Sequence, residues 1–247
     1  MIGIISAMQE EIQALHDVLQ DEVVISKGMR TYHKGTLFGN PVVLVFSRWG
    51  KVASATTVTQ LINDFEVDKI IFTGVGGSIN ENINIGDIII GKNLYQHDMN
   101  ASPIIPVFEI PLLQKAYFET SDHHREKLLK AVNIFLKKFH TIFPASEQKK
   151  FNISNPKVFV NDIASGDQFI TNSRQINYIK NNLPTVSCVE MEGAAVAQVC
   201  FEYNIPFSIL RTISDKANDN SHIDFPAFAK QIASKYALGI LEEYLKN

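Results

Sequence analysis

Six short runs of this chain, IGIIS, PVVLVFS, KIIFTGV, DIIIG, TVSCVEME and FSILRTIS, are largely apolar at successive positions and rich in Ile and Val. Strands buried on both faces carry that pattern. Between them apolar residues recur at spacings of three and four: Met8, Ile12, Leu15 and Leu19; then Leu128, Leu129, Val132 and Leu136; then Phe225, Phe228, Ile232, Tyr236 and Leu241. These stripes predict amphipathic helices. Strands alternating with helices along the whole length predict an α/β fold. The expectation is one domain over residues 1–247, a three-layer sandwich whose mixed, mostly parallel sheet has helices on both faces. Residues 22–46, punctuated by Gly28, Gly35 and FGNP, predict antiparallel hairpins grafted onto that sheet. Residues 102–113 read as a long loop.

Composition narrows the function classes. With 247 residues and 45% hydrophobic content, the chain can bury a large core. A net charge of -3 leaves no basic surplus for nucleic acid, and the pair Lys137 and Lys138 fits the solvated face of a helix. Cys188 and Cys200 form neither a CxxC nor a Cys/His cluster, so neither a disulfide framework nor a metal site is indicated. No run stays apolar for the ~18 residues a membrane span needs, and MIGIISAMQEEI has no basic leader. The expected setting is cytoplasmic, with no membrane partner.

Four polar interruptions fall where strands end, the region in which open α/β sheets bind ligands. Glu10 and Glu11 follow the first strand, where acidic residues also suit a helix N-terminus. FTGVGGS places Gly74, Gly76 and Gly77 together, but no helix-like period follows, so a dinucleotide fingerprint is not supported. Either a plain turn or a backbone open to close ligand approach would explain the triplet. In VEMEGAAVAQVC, a strand continuing through Glu192 would put Glu190 and Glu192 on one face and Met191 on the other. Buried carboxylates need donors. They are salt-bridge partners, with Arg211 available, or acceptors for vicinal hydroxyls such as those of a ribose. In LRTISDKAN, Arg211 and Asp215 end an apolar strand, and Asp215 could equally cap a helix.

These stretches, with GKVASA, GDIII, ASGDQFI and SHIDFPAF, resemble in order and over nearly the whole chain the bacterial 5′-methylthioadenosine/S-adenosylhomocysteine nucleosidases of the purine nucleoside phosphorylase superfamily. The resemblance implies a nucleoside-phosphorylase-like fold and hydrolysis of an N-glycosidic bond, releasing adenine and a 5-thioribose derivative with no cofactor or metal. It implies that Glu11 activates water and that Asp215 shares a proton with adenine N7, a role that calls for a desolvated carboxyl. Glu192 would bind the ribose hydroxyls, with Met191 against the sugar. Phe169 would stack on adenine while the Ile170 backbone meets its edge, and Arg211 would orient the water or an acidic neighbour. Val75 and Gly76 of the glycine-rich stretch would border the substrate, and Met8, Trp49 and Phe225 would build the alkylthio pocket.

The chain departs from the family pattern at Val75, where many members carry Ser, and at Trp49, where many carry Ile. A bulky Trp49 would favour methylthioadenosine over the larger homocysteine compound. The family also implies a homodimer in which residues 100–113, too apolar for an ordinary solvated loop, reach the neighbour's pocket through Ala101 and Ile104. Three alternatives stay open: an aminodeoxyfutalosine nucleosidase, a phosphate-dependent purine nucleoside phosphorylase, and a non-catalytic binding or storage protein of the same fold.

Overall fold

The computed structural model describes residues 1–218 and 221–246, apart from the side chains of 221–224. The first half contains β1 (Ile2–Ser6), α1 (Gln9–His16), β2 (Gln20–Lys27), β3 (Arg30–Leu37), β4 (Asn40–Phe46), α2 (Lys51–Phe65), β5 (Lys69–Ser78) and β6 (Ile88–Gln96). The second half contains β7 (Tyr117–Glu119), α3 (Asp122–Ile142), α4 (Ala145–Lys150), β8 (Val158–Ser165), α5 (Ser173–Asn182), β9 (Val186–Glu190), α6 (Gly193–Glu202) and β10 (Phe207–Asp215). The C-terminal run is α7 (Ser221–Phe228), a π-helical turn (Ala229–Ala233) and α8 (Ser234–Lys246).

The doubly apolar strands are buried on both sides, as their pattern predicts. In β4, Val42 and Leu44 face one core with Ile12 and Leu15 of α1, Val132 and Phe135 of α3, and Tyr236 of α8. Val43 and Val45 face the other core, with Val58 and Leu61 of α2 and Ala194 and Ala197 of α6. Burying a side chain such as Phe135 contributes roughly 1.5–3 kcal/mol, so the alternating faces hold helices onto both sides. The hairpins are antiparallel, with β2 on β3 and β3 on β4.

The simple three-layer sandwich expected from the alternation is corrected by the strand order. β5 pairs parallel with β1 up to Phe72, pairs parallel with β10 along most of its length, and at Gly77 and Ser78 turns to pair antiparallel with β9. Since β10 joins β6, β6 joins β8, and β8 joins β9, five strands close into a barrel-like ring. The β1-β4-β3-β2 wing extends from it. A ten-residue strand can serve three neighbours because it outlasts β1 and coils past it.

Two local departures have physical reasons. β8 escapes the strand pattern because Asp162 interrupts it. The register between β8 and β9 slips there, and the buried carboxylate accepts from Thr185 Oγ1 at 2.6 Å and Asn93 N at 3.2 Å. β9 stops at Glu190 instead of running through Glu192, which sits at the N-cap position of α6. The two glutamates therefore do not share a strand face. Glu190 accepts from the free N–H groups of Glu192 and Gly193, which favours helix initiation over continued strand.

Candidate active site

Glu11 occupies the first turn of α1, and the helix-terminus role and the cavity coincide in it. Its Oε2 accepts from Ala7 N at 2.9 Å and Met8 N at 3.0 Å, while Oε1 accepts from Val75 N at 2.9 Å. Reaching back to the N-cap N–H is half of a capping box. Burial pushes this carboxyl above its ordinary range, against the field of Arg211 and the three N–H donors, which favour the anion.

The glycine triplet is neither a turn nor a loop, because β5 runs straight through it. A Cβ on Gly74 would lie 2.7 Å from Glu11 Oε1, and one on Gly77 would lie 2.8 Å from Asp215 Oδ1. The strand omits side chains so that two carboxylates can rest on it, and at Gly76 so that Cys188 Sγ fits, 2.6 Å from where a Cβ would be. Asp215, at the end of β10, is buried; its Oδ2 accepts from Ser214 Oγ and its Oδ1 from Ala217 N, each at 2.8 Å.

Glu192 is also buried and accepts from Gly50 N at 2.8 Å. Burial first, and the charge of Glu190 second, push its carboxyl up to about 8, with Arg211 and the Gly50 N–H opposing. Glu190 itself is compensated. It receives Arg211 Nη2 at 2.5 Å and Nε at 3.2 Å, besides the α6 amides and the Ser165 hydroxyl. Arg211 is fully buried behind it, its guanidinium 4.1 Å from the Phe72 ring centroid and bonded to the Leu210 carbonyl at 3.0 Å.

One cavity collects most of the residues singled out in the sequence. Its walls include Met8, Glu11, Trp49, Val75, Gly76, Phe169, Ile170, Met191, Glu192, Asp215 and Phe225. Phe225 stands between Trp49 and Phe169, with ring centroids 6.2 and 5.9 Å away, so an aromatic rim surrounds an acidic floor. Arg211 is not on the wall; its hydrogen bonds toward the site go to Glu190, and its charge acts on Glu11 and Glu192 through space. Ala101 and Ile104 do not line the chain's own cavity either, and Ile104 is 88% exposed. The same loop splits in two: Phe108 and Ile110 pack back onto the subunit, while Ile104 and Leu112 stay exposed.

Ala7, Gly77, Gln168, Val189, Glu190 and Ser214 also line the cavity. Gln168 and Ser214 were not chosen from sequence although each adjoins a chosen residue. Adjacency was their only signal, since the side-chain direction depends on where β8 and β10 end. Among the described residues, no Lys, Arg or His lines the cavity. Arg48, a neighbour of Trp49 in the chain, turns its Nη2 to the Met29 carbonyl at 2.5 Å.

The family model described as "Phosphorylase superfamily" matches residues 1–246. A 5′-methylthioadenosine/S-adenosylhomocysteine nucleosidase of Staphylococcus carnosus is 35% identical over 248 residues, covering 100% of both chains. The chain belongs to this nucleosidase family of the phosphorylase superfamily. A solved Streptococcus pneumoniae nucleosidase of the same name, bound to the transition-state inhibitor MT-ImmA, is 33% identical. It aligns with a TM-score of 0.84 over 99% of this chain and 98% of its own. The futalosine hydrolase of Helicobacter pylori is also similar, at 32% identity and a TM-score of 0.80 over 99% of this chain and 96% of its own.

Proposed function

We propose that the protein hydrolyses the N-glycosidic bond of 5′-methylthioadenosine and S-adenosylhomocysteine, releasing adenine and the matching 5-thioribose, as a step of methionine salvage and removal of methylation by-products. One observation carries hydrolysis over phosphorolysis: the cavity presents Glu11, Glu190, Glu192 and Asp215 and, among the described residues, no cation. A phosphate dianion would enter this low-dielectric site with no positive partner and would be disfavoured. Neutral water is not.

In this reading Glu11 holds water through the carboxylate that Ala7, Met8 and Val75 fix in place. As the bond from C1′ to adenine N9 lengthens, its electron pair passes to the base and positive charge grows on the sugar. Asp215 gives or shares a proton at N7, so adenine departs neutral. Water adds its oxygen to C1′ and passes a proton to Glu11. Glu192 accepts from the ribose hydroxyls, Met191 contacts the sugar, and Phe169 stacks on the base beside the Ile170 backbone. Met8, Trp49 and Phe225 surround the 5′ substituent. Arg211 holds Glu190 in place.

The same proposal holds the protein to be a single domain over 1–247, cytoplasmic and a homodimer. Buried free thiols at Cys188 and Cys200 suit a reducing compartment, and no helix among the described residues is long and apolar enough to cross a membrane. Exposed Ile104, Leu112, Met29 and Val52 support association, with Ala101 and Ile104 closing the partner's pocket.

The deciding assay measures base release from methylthioadenosine, S-adenosylhomocysteine, aminodeoxyfutalosine and inosine, with and without phosphate. Adenine release from the first two in phosphate-free buffer is expected. Turnover only with phosphate, yielding a sugar 1-phosphate, would establish the phosphorylase instead. A clear preference for aminodeoxyfutalosine would transfer the assignment to the futalosine branch, and no turnover at all would favour a binding protein.

A further inference from the structure

Away from the cavity, the last residue of α1 and the β2–β3 hairpin bring together His16, Glu22 and His33. Glu22 Oε1 lies 2.9 Å from His16 Nε2 and 2.5 Å from His33 Nδ1. One donor atom from each residue lies within 4.8 Å of the other two, and the imidazole centroids are 4.4 Å apart at 66°. We propose that these three side chains bind one first-row divalent transition-metal ion of the Zn2+ class, fastening the hairpin to the helix that carries Glu11.

The donor set argues for that class of ion. Two imidazole nitrogens and a carboxylate suit Zn2+, Co2+, Ni2+ or Cu2+ better than Mg2+ or Ca2+, which take oxygen. Ligand bonds of roughly 2.0–2.2 Å bring donor atoms to within 3–3.5 Å of one another, so only small side-chain shifts convert the present arrangement into a coordinating one. The side chains are between 22% and 33% exposed, enough for an ion to enter and for water to complete its shell. The ligands come from three elements, which the backbone aligns. β2 loses register with β3 between Gln20 and Val23, where Asp21 takes a φ of 53°, and Glu22 lies in that irregularity. Val24 then pairs with His33, which faces the α1 side of the hairpin while Tyr32 faces the other core. Nothing in the linear spacing of 16, 22 and 33 signals a site.

The competing account is a hydrogen-bonded His-Glu-His relay that binds no ion. The test uses the full chain, free of any affinity tag and stripped with chelator, titrated with CoCl2 and then ZnCl2 in a non-coordinating buffer. One saturable equivalent is expected, with a visible Co2+ absorption band that Zn2+ abolishes. Thermal midpoints should rise by about 5 °C or more when the ion exceeds its dissociation constant a hundredfold. His16→Gln with His33→Gln should lose the band, the thermal shift and at least about tenfold in affinity. Glu22→Gln, which keeps the shape of the hydrogen-bonded cluster, should weaken binding and retain the fold by circular dichroism. Adenine release should be unchanged in both variants, because none of these residues lines the cavity. Absence of a saturable equivalent, or equal affinity in wild type and the double variant, overturns the proposal in favour of the relay.

Discussion

A single methyl group at Gly74 should disable the proposed water-activating carboxylate without touching the substrate. The Cβ of Gly74→Ala would stand 2.7 Å from Glu11 Oε1 and 3.2 Å from its Cδ, whereas ordinary contact begins near 3.4 Å. The carboxylate must retreat by several tenths of an ångström, stretching the 2.9 Å bond it accepts from Val75 N. A charged hydrogen bond contributes roughly 1.5–3 kcal/mol, and at about 1.4 kcal/mol per factor of ten its loss corresponds to roughly 10- to 100-fold in positioning. Misplacement by about 1 Å carries a similar rate penalty. Turnover should therefore fall about 10²-fold, with KM less affected. Gly74 has an ordinary strand conformation, so the thermal midpoint should fall only by the roughly 2–4 °C that each lost kcal/mol implies for a chain of this size. The decisive comparison is the double variant with Glu11→Gln. If the methyl acts through Glu11, the pair should be no slower than Glu11→Gln alone. Fully additive losses, or a Gly74→Ala enzyme with normal turnover, would show that the close approach of Glu11 to β5 is not what catalysis uses.

Glu11→Gln and Asp215→Asn should each cut turnover by ~10² or more with folding intact, since positioned proton transfer contributes about 10²–10⁴; near-normal rates from pH 5 to 9 in the Asp215 variant would remove its assigned role. Arg211→Met leaves Glu190 buried without its 2.5 Å partner and should destabilise the fold by about 3–5 kcal/mol, read as a lowered denaturation midpoint in urea, with Glu190→Gln/Arg211→Met recovering part of the loss. Glu192, raised to about 8 by burial, is an effective hydroxyl acceptor only as the anion. Affinity for a non-hydrolysable methylthioadenosine analogue should therefore improve as pH rises from 6 toward 8, and the slope should flatten in Glu192→Gln. The stability sign is opposite. A carboxyl raised on folding stabilises most below its unfolded value and loses that contribution as pH climbs through about 8, so free wild type should lose thermal stability over that range faster than Glu192→Gln. Trp49→Ile should shift the ratio of kcat/KM toward S-adenosylhomocysteine by about tenfold or more; an unchanged ratio would show that the indole does not limit the 5′ end.

Local pattern carried the strands and helices because burial on two faces leaves a signature in one dimension. Val42 to Val45 had to be apolar whichever core each faced, and Leu128 and Val132 had to recur at helical spacing to meet the sheet. Ordered motifs carried the family, and with it the candidate roles of Glu11, Glu192 and Asp215. What the chain could not express locally was direction and distance. Nothing in VEMEG says that the strand ends at Glu190, because the preference for a helix start depends on amides that only the folded turn exposes. Gly74, Gly76 and Gly77 fit a turn or an open backbone equally well in sequence; in the fold β5 gives room there to Glu11 and Asp215, side chains 63 and 138 residues away from Gly74 and Gly77 in the chain. Asp162 disguised a strand because its partners, Asn93 and Thr185, come from other elements. His16, Glu22 and His33 carried no recognisable spacing, since their meeting depends on a hairpin register and on where α1 stops. Tertiary structure decides these points because a carboxylate or imidazole acquires its chemistry from the donors, charges and solvent around it, and those arrive from distant parts of the chain.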